Sequence, residues 1–283
     1  STMKTILLPF YDDDAAEAAL DVSRQLAARF GSYVEGLFVM RPPQIIDGEG
    51  IVLADSYLTQ LKEEGRRLGD RARARFNECV TRRGMAAGAL DEPPGGVVIG
   101  WQEMEGLEGQ VIGDHGRVFD LIVIGREFGH PWVDWHVMAE AALFESGRPI
   151  VLAPEKPGNG LGENIVIAWN SSTETARTIA LAMPLLAGAA SVTVVGIRGW
   201  GVPGPNADEF CQHLVRNGIA ATARTLDPEG RSPGEVVLEE CTAVGADLLV
   251  KGAYTQSRLR QLIFGGATRH IMMHAKIPVI LAH

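Results

Sequence analysis

The stretch Gly252-Ala-Tyr-Thr255-Gln-Ser-Arg-Leu-Arg-Gln-Leu-Ile-Phe-Gly265-Gly266-Ala267-Thr268 carries glycines at both ends of a loop that leaves an apolar run and enters a helical one. Glycine lets backbone approach an anion closely. A helix opening near Gly266 also turns its first amides and its positive dipole end outward. Thr268 adds a hydroxyl donor in the first turn, and Arg258 or Arg260 supplies charge, so the chemistry on offer is that of a phosphate cradle. Two residues oppose it. Thr255 is β-branched and is strained wherever a positive φ is needed, and Gly266 lacks a hydroxyl for a terminal phosphate. A loop that only links strand to helix is the alternative reading.

Other chemistry-bearing residues are less organised. Asp12, Asp13 and Asp14 follow an apolar run, where they read as a cap and first-turn acids rather than a magnesium cluster. His270 and His274 lie four apart on a helical pattern without a Glu in an H-E-x-x-H arrangement or a third ligand, so no metal is assigned. Trp132 and Trp135 read as space-fillers in a segment with no glycine pair opening its helix. Nothing resembles a Ser-His-Asp order, a nucleophile elbow or a P-loop, so no catalytic residue is assigned.

The elements that position these residues are written twice. Ile6-Leu-Leu-Pro-Phe-Tyr11 before Asp12 has a counterpart in Ile165-Val-Ile-Ala-Trp-Asn170 before Ser171. Asp120-Leu-Ile-Val-Ile-Gly125 returns as Asp247-Leu-Leu-Val-Lys-Gly252, and Pro149-Ile-Val-Leu-Ala as Pro278-Val-Ile-Leu-Ala. The spacing between copies shortens by about 30 residues after the first landmark, which places extra residues in the middle of copy one. They fall in the Pro42-Pro43 to Asp55 loop and in a charged helix striped by Leu58, Leu61, Leu68, Ala72 and Phe76. Short β-branched runs alternating with helical patterns predict parallel strands with crossover helices. Strands are expected near 4–10, 33–40, 96–101, 120–125 and 149–153, then near 164–169, 191–197, 220–226, 247–251 and 278–282. The expected architecture is α/β: two tandem doubly wound parallel-sheet domains, flavodoxin-like or Rossmann-like, of about five strands each, over 1–154 and 163–283. Pro154-Glu-Lys-Pro-Gly-Asn-Gly-Leu-Gly162 reads as the linker.

With 283 residues, 46% of them hydrophobic, the chain can build a core in each half. A formal net charge of -9 argues against nucleic acid as a partner. No apolar run reaches a membrane span, and the run opening at Met3 is too short for a secretory leader. Cys79, Cys211 and Cys241 form no C-x-x-C pair, as suits reduced thiols in a cytoplasmic protein.

The glycine loop and the order of landmarks resemble the universal stress protein family, whose G-x2-G-x9-G-[ST] signature is met here with Thr255 at the second glycine and Gly266 at the Ser/Thr. The resemblance covers nearly the whole chain in two copies. It implies a stress-response sensor or regulatory module with an adenine nucleotide, ATP or AMP, in the second domain only. By position it implies contacts from Ala168, Trp169, Asn170, Ile197, Gly252, Thr255, Gly265, Gly266, Ala267 and Thr268, with Asn170 where the family usually has Asp. It also implies pairing of the two domains through their last strands, and leaves homodimerisation open. A ligand-free interaction scaffold and, more remotely, a slow ATP-hydrolysing enzyme are the rival readings.

Overall fold

The computed structural model describes residues 3–43, 55–93, 95–126, 134–253 and 266–283. They form two compact units, one within Lys4–Ser146 and one within Gly147–His283, the latter joined by Met3.

In the first unit the strands are β1 (Thr5–Pro9), β2 (Tyr33–Met40), the two-residue β3 (Ala86–Ala87), β4 (Val98–Glu105) and β5 (Leu121–Gly125). Their order is β3-β4-β2-β1-β5 and every pairing is parallel. The helices are α1 (Asp14–Phe30), α2 (Asp55–Arg82), α3 (Glu108–His115) and α4 (Trp135–Glu145). β1 and β5 are buried on both faces, as continuous apolar runs in a parallel sheet require. The start of α1 is set by Asp13, whose Oδ1 accepts from Ala16 N at 2.7 Å, and its end by Gly31 at φ 61°. Helix α2 is the expected insertion, but its buried stripe is Gly69, Ala72, Phe76, Cys79 and Val80. Leu58, Leu61 and Leu68 are only half-buried.

The second unit holds β6 (Ile150–Ala153), β7 (Asn164–Ala168), β8 (Ser191–Ile197), β9 (Ala221–Leu226), β10 (Leu248–Gly252) and β11 (Val279–Ala282). Their order is β6-β11-β10-β7-β8-β9, parallel except for β6, which runs antiparallel to β11 with Val151 opposite Ile280. β6 closes the first copy in sequence yet groups with the second unit, because β11 supplies its partner there. Helices α5 (Thr173–Ala187), α6 (Ala207–Arg216), α7 (Pro233–Val244) and α8 (Ala267–His274) complete the unit. Capping boxes fix two of these starts, Asn206 with Glu209 and Ser232 with Glu235.

The repeated aspartates earn their place at the opposite end of the sheets. Asp120 Oδ2 accepts from Lys4 N at 2.7 Å and Thr5 N at 3.0 Å, and Asp247 accepts from Gly162 N at 2.8 Å and Glu163 N at 2.9 Å. Each carboxylate satisfies amides where the first strand of its copy begins.

Candidate functional site

In a parallel sheet of this order, the carboxyl ends of the strands flank the crevice where ligands bind. At the end of β7 the structure brings together four of the residues expected there. Ala168, Trp169, Asn170 and Ile197 are all buried. Asn170 Oδ1 accepts from Ser172 Oγ and Thr175 Oγ1, both at 2.6 Å, so its side chain is committed to organising the start of α5. Trp169 stacks on Phe210 of α6 with ring centroids 4.1 Å apart, and its Nε1 donates to Pro205 O at 2.7 Å. Residues 199–205 pass over this end. Val202 N donates to Asn170 O at 3.0 Å, and a Cβ on Gly201 would lie 2.5 Å from that same oxygen.

Beside it, Gly252 ends β10 pressed against α5. A Cβ there would sit 2.5 Å from Thr175 N, so the glycine is demanded by packing of helix on strand. Gly125 stands in the same relation to α1 in the first unit, its Cβ position 2.3 Å from Ala15 O.

Lys251, one residue before Gly252, is a chemistry-bearing side chain that sequence reasoning passed over. It is buried, and its Nζ donates to Gly252 O at 2.8 Å and Thr268 Oγ1 at 2.9 Å while lying 5.7 Å from the Trp200 ring centroid. Burial alone pushes its ammonium down to about 7. The signal was present in the repeat: the equivalent position in the first copy is Ile124.

Helix α8 starts at an N-cap, Gly266, that has no side-chain cap hydrogen bond. Gly266 is exposed, Ala267 half-buried and Thr268 buried. A cavity of about 470 Å³ opens at this end, lined by Gly266, Ala267, Arg269 and His270 together with Ser232 and Pro233 of the α7 start. Thr255, Gly265, Arg258 and Arg260 lie outside the described residues. The His270 and His274 rings are 4.5 Å apart, and no group of three metal-ligating side chains occurs among the described residues.

The first unit arranges the matching region differently. Phe10 at the end of β1 meets Phe76 of α2 edge-on at 5.2 Å and Trp101 of β4 at 6.1 Å. Tyr11 is fully buried, and burial, reinforced by Glu108, holds its phenol protonated well above the usual range. Of the three aspartates, Asp13 caps α1, while Asp12 and Asp14 pair with Arg75 of α2 at 3.5 and 2.6 Å. The start of α4 is capped by Asp134, whose Oδ1 accepts from His136 N at 2.9 Å and Val137 N at 3.4 Å. Trp135 is buried and stacked on His136 at 3.8 Å, and Trp132 lies outside the described residues.

Comparison with known proteins agrees with this architecture. Residues 212–283 match the family model described as Universal stress protein family. The stress response protein NhaX of Bacillus subtilis (strain 168) is 35% identical over 49 residues, 17% of this chain and 30% of that protein. The chain therefore spans under a third of that relative's length. Among solved structures, a universal stress protein from Archaeoglobus fulgidus DSM 4304 aligns with 99% of this chain and 96% of its own at TM-score 0.65 and 14% identity. A protein of unknown function from Pseudomonas aeruginosa PAO1 covers 99% of this chain and 92% of its own at TM-score 0.57 and 13% identity. Residues 212–283 thus match the universal stress protein family in sequence, and the whole chain shares the fold of these solved structures. The α/β, mostly parallel architecture in two copies stands as read from the sequence.

Proposed function

We propose that the protein is a stress-response sensor or regulatory module whose second unit alone takes an adenine nucleotide, ATP or AMP. One observation carries the asymmetry. In the first unit the start of the last helix is occupied by the protein's own carboxylate, Asp134, whereas in the second unit the same place is Gly266, which brings no side chain. A helix start without its own acidic cap favours an external anion. Thr268 in its first turn and the Lys251 ammonium beside it extend the anion-binding character. Ala168, Trp169, Asn170, Ile197 and Gly252 then shape the rim and floor of the site beside Ala267, and the resemblance adds Gly265 and Thr255, which lie outside the described residues. No catalytic or metal-binding role is assigned. Pairing of the two copies through β6 and β11, and a cytoplasmic setting that keeps Cys79, Cys211 and Cys241 reduced, belong to the same reading.

Calorimetric titration with ATP and AMP tests it, using wild type and Gly266→Asp. Gly266 is extended at φ -107°, so Asp fits there and reproduces the Asp134 cap. The variant should lose nucleotide binding while keeping its fold. ATP should gain over AMP no more than about 1 kcal/mol, the worth of one ordinary hydrogen bond, since Gly266 offers no hydroxyl. Retained affinity in Gly266→Asp, or a nucleotide seated beside Gly125, contradicts the proposal. The closed end of β7 favours a second reading, a ligand-free scaffold for protein partners. Absence of heat and of any thermal shift with both nucleotides is its expected outcome.

A further inference from the structure

Lys251 is buried, and its partners among the described residues are neutral. Its hydrogen bonds go to a carbonyl and a hydroxyl, and among the described residues no carboxylate is bonded to it. Buried ammonium groups are ordinarily paired with an anion, because desolvation of a lone charge is costly. The position is also one that the fold fills with an apolar side chain in the other copy, Ile124, which is fully buried. Packing alone therefore does not call for lysine here.

Trp200, whose ring centroid lies 5.7 Å from Lys251 Nζ, belongs to a segment of unusual composition that crosses the end of β7. Residues 199–206 read Gly-Trp-Gly-Val-Pro-Gly-Pro-Asn, and every residue from 201 to 206 is exposed. Gly199 and Gly201 adopt φ 78° and 109°, and Pro203 and Pro205 have no amide to give to a ladder. The segment is attached by few polar bonds: Trp200 N to Ile197 O at 3.1 Å, Val202 N to Asn170 O at 3.0 Å, with Trp169 Nε1 and Ser171 Oγ both reaching Pro205 O at 2.7 Å. Val202 remains 39% exposed, so little apolar area holds the segment down apart from Trp200. Segments with few buried contacts open at low free energy relative to the core.

We propose that residues 199–205 form a removable strap over a buried cation site, with Trp200 lying across the Lys251 ammonium, and that lifting the strap bares Lys251 Nζ and Thr268 Oγ1 to an anionic ligand of phosphate type. The contact that closes the strap is a cation over an indole face, and the contact that replaces it is a charge-assisted hydrogen bond, which favours the ligand-bound form once an anion is present. The inference rests on the reading of Lys251 and Thr268 as part of an anion site and adds what controls access to it.

The test uses the full chain and two variants. Gly201→Val requires a β-branched residue at φ 109° with its Cβ 2.5 Å from Asn170 O, so it should lift the strap without touching Lys251. Trp200→Ala removes the cover and adds no backbone strain. Modification of Lys251 by trinitrobenzenesulfonate, located by mass spectrometry, should be slow in wild type and at least about tenfold faster in both variants. Amide exchange at Val202 should accelerate in Gly201→Val while β7 and β10 keep their protection. Inorganic phosphate should slow the labelling in the opened variants. If Gly201→Val unfolds, as loss of β10 protection would reveal, Trp200→Ala carries the comparison. Lys251 labelled at the wild-type rate in Trp200→Ala overturns the strap, and labelling indifferent to phosphate in the opened protein overturns the anion assignment.

Discussion

The two units share a parallel sheet and a glycine at the end of the strand before the last helix, yet they close their strand ends by different means. In the first unit aromatic side chains do it: Phe10 is wedged edge-on by Phe76 and Trp101, and Phe76 comes from the inserted α2. In the second, Trp169 lies flat on Phe210, and an exposed Gly-Pro segment completes the cover. A core of interlocked rings opens only with the fold, whereas a strap tied by a handful of hydrogen bonds opens on its own. The same contrast recurs at the last helix, where Asp134 caps α4 and Gly266 leaves α8 without a side-chain cap. The glycine landmarks shared by the copies, Gly125 and Gly252, report packing of helix on strand.

The comparison is broken most forcefully through the sheets. Val151 and Ile280 face each other across β6 and β11, both fully buried. Ile280→Asp should cost several kcal/mol, since an unpaired charge would enter the core, and denaturant unfolding reads the loss. A loss under about 1 kcal/mol would show that β6 is not integral to the second unit. The glycines come next. Gly125→Val and Gly252→Val should each destabilise by about 2–3 kcal/mol, because both Cβ positions collide with the backbone of a neighbouring helix. Destabilisation by Gly252→Val alone would mean that Gly125 is not equivalent.

Lys251 sharpens the contrast with Ile124 through pH. Its folded value of about 7 lies below the ordinary 10.5, so between these values the unfolded chain binds more protons than the folded one. Wild-type stability should therefore rise as pH increases from about 7 towards the ordinary lysine value, by up to about 5 kcal/mol over the whole interval. In Lys251→Met this rise should vanish, with the variant's advantage greatest at pH 6. Equal pH slopes in the two proteins would place the charge in water. The smallest effect concerns the caps. Asp134→Ala should cost about 1 kcal/mol, as loss of an N-cap usually does, seen as a lower melting temperature, while Gly266→Asp should be neutral or slightly stabilising without ligand.

Much of the fold was legible because strand burial and helix caps are local. Continuous apolar runs such as Leu121–Gly125 can only be interior strands, Asp13 and Ser172 announce the helices that follow, and Asp120 and Asp247 recur because each copy has amides to satisfy at one place. The universal stress protein resemblance was legible for the same reason, since it rests on the order of such landmarks. The short β3 and the half-burial of Leu58, Leu61 and Leu68 were not, because a helix pattern does not say how far its partner surface extends.

The sequence by itself determined the repeat, the parallel strands and the presence of glycine at positions 125 and 252. Only the tertiary structure decided what those glycines are for, by bringing Ala15 and Thr175 within contact of them. It likewise decided that Trp169 faces Phe210 and Pro205, and that Lys251 sits dry between Thr268 and Trp200. These are meetings of residues tens of positions apart, and such contacts depend on crossover geometry and loop path, which no local pattern of side chains encodes.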